Sequence, residues 1–384
     1  MNPLTSNLES DTAAGQPPTP RIWLLLGDKL GDNAQVERIV DSLGWPCERK
    51  HLVFKKRYAQ SRPAFRATLH HVDIGASALL SSPWPDLILT SGRRPSSAAL
   101  WVKKQSGGRT KLVVVGRPHR DLHDFDLVIA PPHFHLPRLP NVMKLDVPLM
   151  RINESRMATA VEEWRERFGA LARPLTVLLV GGPQNPFRLD ATVATELLTA
   201  ASNLPDRGTL IVVTSRRTPP RVAAALSNAL PPQAMLFAWT PESKGNPYLG
   251  LVGLADRFIV SGDSISMLVE IATLGKPLAI ATLPLSKAPW VQLEQALGQR
   301  FREADINGSG FWPWLKQMLY KKGIVPFARD LRSFHSYLVE QGAAVKLGAP
   351  FPSHMAPLPD SLSQSVARVR ALWNAASATG SDSR

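Results

Sequence analysis

The residues with the most specific chemistry lie in a loop that follows an apolar run and opens an apolar helix. The loop reads Ser261-Gly262-Asp263-Ser264-Ile265-Ser266-Met267. The first-turn amides of a helix are free to bind phosphate, and Ser264 and Ser266 can donate further hydrogen bonds to it. Glu270 lies just under two turns after Ser264, near the same side of the helix, where a carboxylate can accept hydrogen bonds from a ribose diol. The alternative is that Asp263 only caps the helix and that Glu270 is solvated.

Two further loops carry paired arginines directly after apolar runs. One contains Ser91-Gly92-Arg93-Arg94, and the other contains Thr214-Ser215-Arg216-Arg217-Thr218. Arginine can hold a phosphate with two parallel hydrogen bonds, and a helix N-terminus adds exposed amides. A single loop of this kind would mean little, because surface arginines are common. Two such loops in equivalent positions predict two anion-binding sites.

The first loop, residues 27–35, has neither the dinucleotide-binding nor the phosphate-loop glycine pattern. Asp32 or Asn33 can cap the helix that follows. Lys29 and Asp32 would lie at the carboxyl end of a strand, where a base or a ligand-binding charge belongs. A capped turn and a functional loop fit these residues equally well. To act as a base, Asp32 would need burial or a carboxylate neighbour such as Asp28.

Short apolar runs alternate with helical stretches along the chain, and this alternation predicts parallel sheets with right-handed crossovers. The pattern restarts after Arg173-Pro174, so we expect an α/β protein with two doubly wound, Rossmann-like domains that face each other across a cleft. Ligands of such sheets bind beyond the carboxyl ends of the strands. Strands are predicted at 22–26, 47–53, 87–90, 112–115, 127–130, 142–147, 175–180, 210–214, 234–237, 257–260 and 278–281. Helices are predicted at 33–43, 96–104, 154–168, 191–201, 221–230, 264–274 and 360–375.

The domain boundaries follow from this pattern and from local composition. Residues 1–20 form a polar lead-in, expected to be disordered. Residues 21–172 form the first domain, and 173–359 form the second. A helix at 360–376 is expected to cross back over the domains, and 377–384 form a tail.

Composition narrows the function classes. With 44% hydrophobic and 20% charged residues in 384, the chain is not mainly disordered, and its one cysteine excludes a disulfide scaffold. The net charge of +14 predicts an anionic partner, and it is spread over both halves of the chain. Residues 49–66 contain seven basic residues and no acid. This stretch is either a patch for anionic lipid or acceptor, or a solvated loop. Nucleic-acid binding has only the net charge in its favour.

Other patterns in the sequence argue against metal chemistry and a membrane span. Asp124-Phe125-Asp126 precedes a strand rather than following one, and His119, His123, His133 and His135 match no zinc spacing. We therefore expect neither a metal nor a cofactor. No apolar run is long enough for a membrane span. A cytoplasmic location is expected, with peripheral contact at the inner membrane face left open.

Several motifs, in order from about residue 21 to 301, resemble those of the "elongated mitochondria" family of mitochondrial fission proteins. They are Lys29-x-Gly31-Asp32-x-x-Gln35, Ser91-Gly92-Arg93-Arg94, Gly181-Gly182-Pro183, Thr214-Ser215-Arg216-Arg217-Thr218-Pro219, Asn246-Pro247-Tyr248, Asp263-Ser264-Ile265-Ser266-Met267-x-x-Glu270 and Gly275-Lys276-Pro277. Two positions depart from the family pattern, because many members carry His at Asp32 and Asn at Ala34. The first departure bears directly on Asp32 as a base.

The family is similar to glycosyltransferases of the two-Rossmann (GT-B) type. Residues 259–277 look like the donor-binding stretch of the enzyme that adds N-acetylglucosamine to lipid I. The resemblance implies a nucleotide-diphosphate sugar as the donor, with phosphate at Ser264 and ribose at Glu270. It implies a donor side made of Gly182, Ser215, Arg216, Arg217, Asn246, Asp263, Ser264, Ser266, Met267 and Glu270. It implies a cleft or acceptor side made of Lys29, Gly31, Gln35, Ser91, Gly92 and Arg93, with Asp32 as the candidate base.

Two functions of different classes remain open on this evidence. The first is a metal-independent glycosyltransferase that uses a cell-envelope or lipid-linked acceptor. The second is a non-catalytic nucleotide-sugar-binding protein, or a membrane-surface scaffold or adaptor related to mitochondrial fission factors.

Overall fold

Two six-stranded parallel sheets form the framework of the protein. The computed structural model describes residues 19–58, 67–118, 121–134, 136–150, 152–206, 208–240, 245–303, 308–322 and 329–381. The class predicted from the alternating pattern, an α/β protein with two Rossmann-like domains, is confirmed. Residues 1–18 of the expected lead-in lie outside the described residues.

The first sheet has the strand order β2-β1-β3-β4-β5-β6. Its central strands are uninterrupted apolar runs because helices cover both faces, and every side chain of β1 and β3 is buried. The elements are β1 (Ile22–Leu26), α1 (Leu30–Leu43), β2 (Cys47–His51), β3 (Leu87–Ser91), α2 (Arg93–Gln105), β4 (Lys111–Val115), β5 (Leu127–Ala130) and β6 (Val142–Lys144), followed by the helix α3 (Glu154–Gly169).

The second sheet has the order β12-β11-β10-β7-β8-β9. Its elements are β7 (Leu175–Val180), α4 (Ala191–Ser202), β8 (Thr209–Thr214), α5 (Pro220–Asn228), β9 (Met235–Phe237), α6 (Tyr248–Leu254), β10 (Arg257–Ser261), α7 (Ile265–Thr273), β11 (Leu278–Ala281), α8 (Pro289–Glu303), α9 (Phe311–Lys321), α10 (Leu331–Glu340) and β12 (Val345–Lys346). Sequence patterning did not indicate α6, α8, α9, α10 or β12. The last strand has only two residues, too few for a period-2 pattern.

The strand order places one reversal point in each sheet. In the first sheet the chain leaves β1 for β2 on one side and reaches β3 on the other. In the second sheet the same reversal lies between β7 and β10. Ligands of doubly wound sheets bind in the crevice at such a point. The polar loops found in the sequence after β1, β3, β7 and β10 therefore meet in pairs.

The last helix, α11 (Ser361–Ser381), packs on the first domain although it follows the second sheet in the chain. Val369 is fully buried in the core around β1 and α1, and the Arg370 guanidinium donates to the Leu43 carbonyl at 2.6 Å. The helix runs on to Ser381, past residue 377 where the tail was expected to begin. Residues 377–381 contain no proline, so the backbone hydrogen bonds of the helix can continue through them. Within the described part of the chain, no helix combines the length and the apolar character needed to cross a membrane.

Helix α3 lies against α6 through two glycines. A Cβ on Gly250 would come within 2.7 Å of Trp164 Cδ1 and 2.9 Å of the Ala160 carbonyl oxygen. A Cβ on Gly253 would come within 2.2 Å of Val161 Cγ2. The two helices can approach this closely only because neither glycine has a side chain.

We predict that Gly250→Ala lowers the free energy of unfolding by about 1–3 kcal/mol, since the added methyl group must displace a tryptophan ring and a backbone carbonyl. Gly169→Ala at the end of α3 is the matched control, because a Cβ there meets nothing within 4 Å. Chemical denaturation of both variants checks the prediction. Equal stability of the two variants would contradict close packing of α3 on α6.

Candidate functional site

The buried carboxylate of Asp263 joins the loops at the reversal point of the second sheet. Its Oδ2 accepts a hydrogen bond from the Gly182 amide at 2.8 Å, and its Oδ1 accepts one from Ser261 Oγ at 2.7 Å. The residue is 1% exposed. Gly181 must be a glycine, since a Cβ there would lie 2.1 Å from Asp263 Oδ2. Asp263 is thus held by backbone and side-chain groups from both β7 and β10.

Arg217 brings the loop after β8 to the same carboxylate. Its Nη2 donates to Asp263 Oδ2 at 3.1 Å, and its Nη1 donates to Gln184 Oε1 at 2.8 Å. Burial raises the pKa of Asp263, while the bonds from Ser261 and Gly182 and the charge of Arg217 act in the opposite direction. Arg217 therefore stabilises a buried charge first and has less freedom to bind an anion. The neighbouring Arg216 is exposed.

The loop after β8 is closed by its own hydroxyl groups. The Ser215 amide donates to Thr218 Oγ1 at 2.9 Å, and the Arg217 amide donates to Ser215 Oγ at 3.2 Å. Thr218 Oγ1 donates in turn to the Val180 carbonyl at 3.0 Å. Ser215, predicted as a phosphate donor, is thus already part of a hydrogen-bonded turn that sets the direction of both arginines.

The N-terminus of α7 is open. Ser264 occupies the N-cap position without a capping side-chain hydrogen bond, and its Oγ lies 3.5 Å from Ser266 Oγ. Asp263 does not cap this helix, which removes the alternative considered from the sequence. The first-turn amides, two hydroxyls and the half-buried Met267 therefore surround a helix end that can accept an anion.

Glu270 is half-buried on α7 and is held by Tyr248 at the start of α6. The Tyr248 hydroxyl donates to Glu270 Oε2, and the Tyr248 amide donates to Asn246 Oδ1 at 2.9 Å. Burial raises the pKa of Glu270, and burial together with the Glu270 charge raises that of Tyr248 well above its usual value. The Asn246-Pro247-Tyr248 motif thus fixes a carboxylate one to two turns below the open helix end.

In the first domain, the equivalent reversal point is also closed by an ion pair. Arg94 Nη2 donates to Asp28 Oδ2 at 2.7 Å, and its guanidinium lies 4.6 Å over the Phe54 ring. Helix α2 begins at Arg93 rather than at residue 96, so both arginines belong to its first turn. The prediction of an open anion seat at Arg94 is wrong, because that side chain is only 9% exposed and already paired.

The side chain of Asn33 holds the loop after β1 in shape, and no side-chain hydrogen bond caps the helix that follows. The Gly27 amide donates to Asn33 Oδ1 at 3.1 Å, and Asn33 Nδ2 donates to the Gly27 carbonyl at 2.8 Å. Lys29 is exposed and occupies the N-cap position of α1, while Asp32 is half-buried in the first turn. Asp28 is engaged by Arg94, so it is not the free carboxylate neighbour that would make Asp32 more basic.

The other cleft-side residues divide into structural and open groups. Ser91 is buried and donates to the Val115 carbonyl at 2.8 Å. Gly92 has a φ of +82° and lies beside Asp32, whose Oδ2 would be 3.7 Å from a Cβ at that position.

Gln35 is buried, with Nε2 3.5 Å from the Gly31 carbonyl and Oε1 without a hydrogen-bond partner among the described residues. Arg93 is half-buried at the start of α2.

Arg329 is a cleft residue that the sequence reasoning missed. Its guanidinium lies 5.7 Å over the Phe134 ring, and the next residue, Asp330, donates its amide to the His133 carbonyl at 2.8 Å. Desolvation lowers the pKa of Arg329, the charge of Asp32 raises it, and the charge of Arg217 lowers it. The charges of Asp32 in the first domain and of Arg217 in the second thus both act on Arg329, whose side chain is exposed. It stands outside every recognisable motif, so no signal in the sequence marked it.

His335 is a second residue that the sequence did not indicate. It is 8% exposed, stacks on Phe187 with ring centroids 5.8 Å apart, and occupies the space beside Gly262. A Cβ on Gly262 would come within 2.7 Å of His335 Cε1. The glycine of the α7 loop is therefore required by a histidine from α10.

The described residues contain no group of three His, Cys, Asp or Glu side chains placed to hold a metal ion. His119 and His135 lie outside those residues.

Two Rossmann-like domains with their polar loops at the reversal points define a protein of the GT-B-like class. The chain belongs to the family described as mitochondrial fission ELM1, whose model matches residues 31–319. The family suggested by the motifs is thereby confirmed.

Two curated proteins illustrate the relationship. The mitochondrial fission protein ELM1 of Arabidopsis thaliana is 25% identical over 239 residues, which is 56% of each chain. The match thus spans just over half the length of that relative. The uncharacterized protein RP120 of Rickettsia prowazekii (strain Madrid E) is 22% identical over 296 residues, 67% of this chain and 82% of that protein.

Two solved structures are similar in outline. A putative UDP-N-acetylglucosamine 2-epimerase from Listeria monocytogenes has a TM-score of 0.49 at 11% identity, over 93% of this chain and 97% of that one. MurG from Acinetobacter baumannii has a TM-score of 0.39 at 14% identity, over 93% and 94%.

We predict that Asp263→Ala lowers the free energy of unfolding by about 3 kcal/mol, because the Gly182 amide, Ser261 and Arg217 all lose a buried acceptor. Ser266→Ala in the same loop is the control, since its hydroxyl has only the 3.5 Å contact with Ser264. Urea denaturation of both variants measures the difference. A loss below about 1 kcal/mol for Asp263→Ala would show that the carboxylate does not hold the loops together.

Proposed function

We propose that the protein binds a nucleotide-diphosphate sugar at the open end of α7 and transfers its sugar without a metal ion. The observation that carries this proposal is the position of Glu270 on α7. Tyr248 holds its carboxylate, and the first turn of the same helix has no capping side chain. The helix end suits a diphosphate, and the carboxylate suits a ribose diol. The two groups are spaced along one helix, as the two parts of a nucleoside diphosphate require.

The departing diphosphate would be stabilised by cations and amides that are already in place, which is how much of enzymatic charge stabilisation arises. Exposed Arg216 and half-exposed Arg217 lie on the second-domain side. Arg329, on which the charges of Arg217 and Asp32 both act, would add a further cation. The acceptor hydroxyl would enter from the side of Asp32 and Lys29, with Asp32 as the base.

An acceptor with a lipid or anionic part would fit the outer side of the first domain. We name the acceptor-side patch by its three exposed apolar residues, Val53, Ile74 and Leu79, which are 44%, 67% and 71% exposed. The Asp73 amide donates to the Val53 carbonyl at 2.9 Å, so these segments lie side by side. Lys56 and Arg57 next to them are exposed, while residues 59–66 of the basic stretch lie outside the described part of the chain.

A second function, nucleotide-sugar binding without transfer, is favoured by one observation. Asp28 is paired with Arg94, so it is not a free carboxylate beside the candidate base Asp32. A protein of this kind would bind the same donor through α7 and serve as a sensor or scaffold. Product analysis after incubation with nucleotide-diphosphate sugars separates the two functions, since only the enzyme releases nucleoside diphosphate.

We predict that wild-type protein binds uridine diphosphate and that Glu270→Gln weakens this binding about 10-fold or more, because a charge-assisted hydrogen bond contributes about 1.5–3 kcal/mol. The 2′-deoxy analogue tests the contact itself. Wild type should prefer the ribonucleotide, and Glu270→Gln should bind both forms equally. Glu294→Gln on α8 is the matched control. Isothermal titration calorimetry measures all six combinations of the three proteins and the two nucleotides.

The same contact predicts a pH dependence. Because burial raises the Glu270 pKa, the free protein takes up a proton there at a higher pH than an ordinary glutamate does. Protonation removes acceptor capacity, so affinity and the preference for ribose should both fall as the pH drops. Glu270→Gln should show neither change. No binding by wild type, or equal affinity of wild type and Glu270→Gln, would refute the donor site.

We predict that Arg329→Ala also weakens uridine diphosphate binding, by about 10-fold, since it removes a cation facing the diphosphate. Arg332→Ala is the matched control because Arg332 is exposed on α10, three residues further along the chain. The effect should shrink at high salt, as expected for a charge contact open to solvent. Unchanged affinity in Arg329→Ala would exclude Arg329 from the donor site.

A further inference from the structure

The hairpin of α8 and α9 carries an unusual share of the exposed apolar surface. Seven large hydrophobic side chains are exposed in the described chain, and the hairpin holds four of them, including every tryptophan and phenylalanine among them. Trp290, Leu293, Phe311 and Trp314 are 59%, 60%, 62% and 56% exposed. We name these four side chains the aromatic hairpin surface. Exposed tryptophans and phenylalanines in such number mark a contact site rather than ordinary surface.

The four residues form two pairs, each in the first turn of its helix. Trp290 and Leu293 are three residues apart on α8, and Phe311 and Trp314 are three apart on α9, so each pair shares a helix face. The Phe311 and Trp314 ring centroids lie 6.1 Å apart. Each pair therefore forms a small apolar patch of two neighbouring side chains.

The packing between the helices separates the two pairs. Phe301, near the end of α8, packs edge-on against Trp312 at the start of α9, with centroids 5.5 Å apart. Trp312 is half-buried by this contact, whereas Phe311 and Trp314 on either side of it stay exposed. Trp290 lies eleven residues before Phe301, about 16 Å along α8. An occupant that touches both pairs must therefore be extended rather than a small molecule.

The charges around these pairs favour an anionic occupant. Lys287 and Arg300 on the α8 side and Lys322 after α9 are exposed. Among the hairpin side chains that the structure describes, the acid Glu294 is half-buried and none is fully exposed. Exposed aromatic rings with basic neighbours are typical of helices that lie in the interface of an anionic membrane. A core protein interface, in contrast, is depleted in charged residues.

We propose that the aromatic hairpin surface inserts at the surface of an anionic lipid bilayer. The rings of Trp290, Phe311 and Trp314 would lie at the level of the headgroups, and Lys287, Arg300 and Lys322 would contact lipid phosphates. This site is separate from the acceptor-side patch and does not depend on the proposed nucleotide chemistry. It places a membrane contact on the second domain, where the sequence had indicated one only on the first.

The test is co-sedimentation of the full chain with vesicles of phosphatidylcholine alone and of phosphatidylcholine mixed with phosphatidylglycerol. Wild type should bind the anionic vesicles, and binding should weaken at high salt. The double variant Phe311→Ser with Trp314→Ser should bind at least 10-fold less. Lys287→Glu with Arg300→Glu should show a similar loss that is largest at low salt. Thermal melting and uridine diphosphate affinity of these variants should match wild type, which separates a membrane defect from misfolding or a failed donor site.

The comparison variant replaces the acceptor-side patch through Val53→Ser, Ile74→Ser and Leu79→Ser. It should retain most vesicle binding if the hairpin is the main contact. The proposal is overturned if the hairpin variants bind anionic vesicles as wild type does, or if only the acceptor-side variant loses binding. Failure of wild type to bind any vesicle also overturns it.

Discussion

The site of this protein depends on one buried charge. Asp263 lies where the strand order of the second sheet reverses, and it accepts hydrogen bonds from Gly182, Ser261 and Arg217. A carboxylate without those donors could not stay buried there, because desolvation would cost several kcal/mol. With them, three loops from three strands are fixed around the start of α7, and its amides stay free. The N-terminus of α7 is thus left open by the hydrogen bonds around Asp263, and not by the sequence of α7 alone.

The first domain also has an ion pair at its reversal point, but there the buried partner is the cation. At its own reversal point the arginine is the buried partner, because Arg94 lies under Phe54 and pairs with the exposed carboxylate of Asp28. Both crevices are therefore closed at the bottom by a protein ion pair, and Asp32, Lys29 and Arg216 lie outside these two pairs. The charges of Asp32 and Arg217 both act on Arg329.

Strands, most helices and the loop positions could be predicted from the sequence because they follow from hydrophobic periodicity and strand order. Side-chain partners could not. Paired arginines predict anion-binding sites equally well at 93–94 and 216–217. One arginine of each pair is nevertheless used internally, because Arg94 pairs with Asp28 and Arg217 with Asp263. Tyr248 was visible as part of a motif, but its bond to Glu270 joins residues from different helices. Arg329 and His335 reach the site only through tertiary packing, which leaves no local pattern.

Two chain segments pass between the domains, and this fixes how they can move. Helix α3 leaves the first sheet and packs against α6, while α11 returns from the second sheet to pack on α1. A body joined at two separate points can rotate about the line between them but resists twisting and sliding. Helix α6, on which α3 packs, begins with Tyr248, and Tyr248 bonds directly to Glu270. The connection through α3 is therefore linked to Glu270 by a single side chain. Opening and closing of the cleft would therefore affect Glu270 before the start of α7.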